Sequence, residues 1–213
     1  MYTPQAFKMD EPGHLHALMR AWPFALLLTA HENQIEATHL PFLFDADRGT
    51  RGTLVAHVAR ANPHWKCFDG ARESLVIFTG PHAYVSPSWY EKPMEVPTWN
   101  YAVVHAHGRP AIVADKPRVR AILERLVAEH EKHVHPPWST ALAGEDYLDR
   151  QMDHIVAFEM PIERIEGKFK LSQNRSPADV AGVINALEAG DRDLDRKTAK
   201  LMRRCGSSKT FNV

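Results

Sequence analysis

Two cysteines in 213 residues, Cys67 and Cys205, are too few for a disulfide framework, and they lack the spacing of zinc ligands. A reducing cytoplasm is the expected compartment. Charge of one sign is also missing: Lys+Arg and Asp+Glu stand at 26 each. That excludes a generally basic nucleic-acid binder and leaves room only for a local patch. The longest apolar run, Trp22 to Ala30, falls far short of the roughly 20 residues of a membrane helix, so no membrane association is expected. The N-terminus has no basic segment followed by an apolar stretch and a small-residue cleavage site, and no signal peptide is expected. Glycine-rich phosphate loops, G-x-S-x-G and H-E-x-x-H are all absent, as are internal repeats and low-complexity tracts.

What remains is an ordinary globular composition, 44% hydrophobic and 24% charged, with thirteen histidines and fifteen prolines. The patterning predicts a short helix from Asp10 to Trp22, capped at Asp10, and then strands over Phe24 to His31 and Ile35 to Phe44 turning at Glu32-Asn33-Gln34. A third strand follows over Gly52 to Val58. Asn62-Pro63 reads as a cap and first-turn proline for a helix to about Phe68. Leu75 to Thr79 is a strand that Ala83 to Val85 extends past Pro81. Trp99 to Ala106 and Arg109 to Val113 read as a hairpin turning at His107-Gly108. Asp115 caps a helix with Val119, Ile122, Leu123, Leu126 and Val127 at helical spacing, and Tyr147 to Asp153 is a shorter helix. Ile155 to Met160 and Ile162 to Leu171 return to strand, interrupted by Pro161. Ser176-Pro177-Ala178-Asp179 opens a last apolar-striped helix before Gly190. Many short strands with peripheral helices predict an α+β chain built on a mostly antiparallel barrel. Residues 1–190 would form this domain. Residues 191–213 would add a basic helix with Arg196, Lys197, Lys200, Arg203 and Arg204, and a loose tail from Gly206 to Val213.

Several constellations could carry chemistry. Arg60 falls at a strand end just before a helix start, where a guanidinium beside donor-rich backbone suits a phosphate; the alternative is an arginine on a solvent-facing corner. Strand alternation sets Thr38 and Leu40 opposite His39, and His57 and Ala59 opposite Val58. Lys168 and Lys170 share a face opposite Phe169 and Leu171, followed by Ser172, Gln173 and Asn174; this suits a dianionic phosphate, or equally an edge strand protected by lysines. Trp89, Tyr90, Trp99 and Tyr101 flank turns and suit either a planar ligand or core packing. His130, His133 and His135 read as polar residues around a helix C-terminus, and His105 and His107 as a surface pair, so no metal site is expected.

Five segments in order, Ala37 to Pro41, Gly52 to Lys66, Ile77 to Tyr90, Val96 to Tyr101 and Gly167 to Arg175, resemble the PaiB-type, FMN-binding negative transcriptional regulators over about Met1 to Leu187. The resemblance implies a split β-barrel related to pyridoxamine 5′-phosphate oxidase, a homodimer, and FMN sites at the subunit interface. Carried over by position, Thr38, His39 and Leu40 border the isoalloxazine or ribityl chain. Ala56, His57, Val58 and Arg60 surround the ribityl phosphate, with Arg60 as the charge partner. Lys168 and Lys170 come from the partner subunit or close the site. No helix-turn-helix is legible, so DNA contact is expected to be weak and to run through the basic C-terminal segment. A flavin-dependent oxidoreductase, with His57, His82 or His105 as an acid, is the alternative function. Haem binding ranks behind both.

Overall fold

The computed structural model describes residues 1–92 and 94–206, with nine strands and five α-helices among them. In chain order these are β1 (Lys8–Met9), α1 (Pro12–Ala21), β2 (Phe24–His31), β3 (Gln34–Pro41), β4 (Leu43–Asp45), β5 (Thr53–Ala59), β6 (Ser74–Val85), β7 (Thr98–Gly108), β8 (Ala111–Ile112), α2 (Lys116–Glu131), α3 (Glu145–Met152), β9 (Ile155–Lys170), α4 (Pro177–Ala189) and α5 (Asp193–Gly206). The strands order as β3-β2-β6-β7-β9-β5-β4, with β1 and β8 also pairing β9. This is the expected α+β architecture, a mostly antiparallel split β-barrel with peripheral helices. The chain divides into two compact units. One holds residues 1–22, 78–105 and 166 onward; the other holds 23–77 and 106–165.

In the second unit, Glu32 and Asn33 both take positive φ, 46° and 65°, the two-residue turn whose twist matches an antiparallel hairpin. The turn is therefore one residue tighter than expected, and the register runs from His31↔Gln34 to Phe24↔Pro41. The chain breaks at Phe42, whose N–H turns back to Pro23 O at 2.9 Å, so β4 is a separate strand. β5 pairs with β9 from Thr53↔Pro161 to Ala59↔Ile155. Gly52, at φ +87°, has no room for a Cβ, which would fall 2.2 Å from the Phe44 ring. On one face of β4, β5 and β9, Leu43, Val55 and Ala157 pack under Ile122 and Leu126 of α2. Asp115 caps that helix by accepting from Arg118 N–H at 3.0 Å.

Other elements depart from the pattern expected of the sequence. β8 does not form a hairpin with β7: Ala111 and Ile112 pair with Glu159 and Phe158 of β9. Pro161 does not interrupt β9, because proline costs only one donor and the next residue restores the ladder through Ile162 N–H to Gly52 O, 2.9 Å. Asn62 does cap a helix, accepting from His64 N–H at 3.0 Å, but the helix is a short 3₁₀ turn, Pro63–Cys67.

In the first unit, α1 starts at Pro12 and its N-cap is Glu11, not Asp10. It buries Leu15, Leu18 and Met19. α4 is capped by Ser176, which accepts from Asp179 N–H at 3.1 Å. The Asp179 carboxylate accepts in turn from Glu91 N–H at 2.9 Å rather than reaching back to its own cap. α5 buries Thr198, Ala199, Leu201 and Met202, so the basic segment is an amphipathic helix with a core-facing side. The tail expected beyond Gly206 lies outside the described residues.

Candidate functional site

The pleat of β3 and β5 separates the expected cofactor residues by face. Thr38 is half-buried and Leu40 buried, while His39 is exposed and stacks on Phe24 with ring centroids 6.2 Å apart. Ala56 and Val58 point into the core, at 0% and 4% exposure. His57 takes the opposite face of β5, shared with Val55 and its cross-strand neighbour Ala157.

His57 is held neutral: burial drives its pKa below the usual histidine value. Its Nδ1 is buried and has no hydrogen-bond partner among the described residues. Buried polar atoms are nearly always satisfied, and an orphan marks a position where a ligand atom or water is needed.

Arg60 follows β5 directly. Its Nε donates to Asp153 O at 2.7 Å and its Nη2 to Ile155 O at 2.8 Å. Trp65 Nε1 donates to Arg60 O at 2.9 Å, tying the backbone to the following 3₁₀ turn. A guanidinium carries five N–H groups, so these two bonds fix its plane and leave donors over. Arg60 lines a cavity of about 250 Å³ together with Trp65, Val113, Lys116, Asp153 and Ala157. Lys116 Nζ lies 3.6 Å from Asp153 and offsets that carboxylate, the one at the cavity among the described residues. An oriented arginine and a lysine beside an apolar wall fit a phosphate ester better than a neutral ligand.

A buried polar chain that the sequence reading missed stands behind Thr38. Asn62 Nδ2 donates to Thr38 Oγ1 at 3.0 Å, and Thr38 Oγ1 meets His64 Nδ1 at 2.9 Å. His64 Nε2 meets Thr29 Oγ1 at 2.8 Å, and Thr29 meets Ser74 Oγ at 2.7 Å. His64 is fully buried, and burial lowers its pKa more than the nearby Glu36 raises it. Asn62-Pro63-His64 was legible as a helix start. That His64 turns inward was not, because its partners come from β2 and β3.

Lys168 and Lys170 belong to the other unit. They share a half-buried face of β9 while Phe169 and Leu171 are buried, as alternation required. Lys168 Nζ donates to Tyr2 O at 3.1 Å and lies 5.4 Å from the ring centroids of both Tyr2 and Tyr101. Lys170 Nζ donates to Thr98 Oγ1 and to Trp99 O, at 2.5 and 2.8 Å. Burial, then Lys168 and Arg175, lowers the Lys170 pKa. Ser172 and Gln173 also bond within the chain, to Asn100 and to Leu171 N–H.

A family model described as "Putative FMN-binding domain" matches residues 1–164. The chain is 32% identical over 202 residues to "Protease synthase and sporulation protein PAI 2" of Bacillus subtilis, covering 95% of this chain and 96% of that one. Among solved structures, the flavocytochrome Anf3 from Azotobacter vinelandii superposes with a TM-score of 0.60 at 13% identity, over 81% of this chain and 73% of that one. A protein from Mycobacterium smegmatis described as binding FAD and heme superposes with a TM-score of 0.57 at 14% identity, over 82% and 78% of the two chains. At such identities the two structures establish the fold alone. No helix among the described residues is long and apolar enough to cross a membrane.

Proposed function

The chain belongs to the FMN-binding domain family that it shares with PAI 2, the PaiB-type family, and from that premise we propose that FMN is held on the unit carrying β3 and β5, with Arg60 as its phosphate partner. The observation that carries the assignment is the Arg60 cavity: a guanidinium pre-oriented by two carbonyls, with Lys116 beside it. The orphaned Nδ1 of His57, on the same sheet face as Ala157 of that cavity, offers a neutral polar contact to the ribityl chain or phosphate. Thr38 presents a hydroxyl fixed from behind by Asn62 and His64, and His39 an exposed ring beside Phe24. Ala56, Val58 and Leu40 act from the core by setting the position of these neighbours. When bound, FMN supplies one- or two-electron chemistry; the residues named here bind and orient it.

The protein works as a homodimer in the cytoplasm, and Lys168 and Lys170 of the partner copy close the site over the flavin. Support for the dimer is the outer face of β2 and β3, where Phe24 and Ile35 are 65% and 72% exposed. Support for the compartment is a pair of free cysteines, one of them buried. Regulation of transcription runs through weak, salt-sensitive backbone contacts made by α5, whose Lys200 and Arg196 are exposed.

The test of the site compares FMN with riboflavin, which lacks only the phosphate. Arg60→Ala is expected to weaken FMN at least tenfold and riboflavin hardly at all, followed by flavin fluorescence. Equal weakening of both, or of neither, places the phosphate elsewhere.

A further inference from the structure

α1 and α5, in the first unit, enclose a second cavity of about 280 Å³ that has no part in the flavin reading. Its floor is apolar: Leu18, Pro81, Phe169 and Leu201 are all buried. Space above that floor exists because α1 presents Ala17 and Ala21 there, one turn apart on the same face. Facing them, α5 presents Lys197, Lys200 and Arg204 around Leu201, at the spacing that places all four on one side of a helix. Lys197 is engaged at the rim, 2.7 Å from Asp193 and 5.5 Å from the Trp22 ring centroid. Among the described residues no carboxylate lines the cavity itself.

Each half of this arrangement excludes a class of ligand. A bare phosphate gains nothing from a floor of leucine, proline and phenylalanine, and a neutral hydrophobe gains nothing from three cations. The volume falls just below the range of pockets for drug-sized ligands, about 300–1,000 Å³, which calls for a small one. We propose that this cavity binds a small organic anion with an apolar body, an aryl or short acyl carboxylate, with Lys200 taking the carboxylate and Phe169, Leu18 and Leu201 the body.

The test uses 2-naphthoate and its neutral counterpart 2-naphthamide, titrated calorimetrically into the full chain with and without saturating FMN. The expected result is one naphthoate per chain, unaffected by FMN, with the amide at least tenfold weaker. The variant Lys200→Gln should weaken naphthoate at least tenfold and leave the amide unchanged. Ala17→Leu fills the cavity from the α1 side and should abolish both; Ala21→Leu, at a solvent-exposed position, does the same where Ala17→Leu lowers the melting temperature. Absence of saturable binding, equal affinity for acid and amide, or indifference to these variants overturns the proposal. So does displacement of naphthoate by FMN, which would assign it to the flavin site.

Discussion

His64 joins β2 and β3 of its unit through one buried side chain. A fully buried imidazole is tolerated because both ring nitrogens meet hydroxyls. The chain is satisfied in one direction when Asn62 donates to Thr38, Thr38 to Nδ1, and Nε2–H to Thr29, which passes its own proton to Ser74. Protonation makes both nitrogens donors and breaks that order. Because burial lowers the His64 pKa, the unfolded chain takes up the proton first, and stability falls as pH drops below the ordinary histidine value of about 6.5. His57 contributes with the same sign. His64→Gln is therefore expected to cost about 2 kcal/mol at pH 7.5, the cost of hydroxyls left unpartnered, and to flatten the decline between pH 7 and pH 5.5. Urea unfolding across that range measures both; an unchanged slope removes His64 from the account.

At the scale of elements, α2 is held by its apolar stripe and by two doubly engaged carboxylates. Glu159 accepts from Arg48 at 3.1 and 2.6 Å and from Arg118 at 2.5 Å, and Asp45 pairs with Arg48 and Arg125. Burial is the largest single influence on each carboxyl and opposes ionisation, yet the combined arginine hydrogen bonds and charges hold both below the usual range. Stability from such depressed groups is complete above the unfolded pKa of about 4 and is lost as pH falls through the folded one. Glu159→Gln should thus lose about 1–2 kcal/mol at pH 7, with the difference from the parent shrinking toward pH 3; a constant difference would mean shape, not charge, is what Glu159 supplies. Much of this architecture was legible. Asp115 and Ser176 announced their helices because caps are local, and the β2–β3 hairpin was legible from its flanking strands. The β8–β9 pairing was not, since it joins residues almost fifty positions apart where a two-residue turn at His107-Gly108 looked simpler. For the same reason the Arg60 cavity could be suspected from one residue, but its Lys116 and Asp153 walls could not.

For the whole molecule, the telling feature is a sheet face that is apolar on the outside as well. The run from Phe24 to Ala30 does not alternate apolar with polar, the pattern of a strand covered on both sides. Ala25, Leu27, Thr29 and Val76 fill the inner face. Leu26 and Leu28 remain half-exposed beside Ile77 and Leu75, their cross-strand partners on β6, with Phe24 and Ile35 at the margins. A monomer that left this surface in water would forgo a burial worth about 25 cal/mol per Å², whereas a two-fold axis covers the same patch on both copies at once. Leu28→Glu with Ile35→Glu places charges on outward side chains that contribute nothing to the inner core and lie away from His39. The pair should convert a dimer into a monomer in sedimentation velocity at 20 µM while leaving far-UV circular dichroism unchanged. A parent chain that sediments as a monomer ends the dimer proposal. Where the parent is dimeric, loss of FMN affinity in the monomeric variant would assign part of the flavin site to the second copy, as the closing role of Lys168 and Lys170 requires. Full FMN affinity in that monomer would confine the site to one chain and return the two lysines to the local contacts they already make with Tyr2, Thr98 and Trp99.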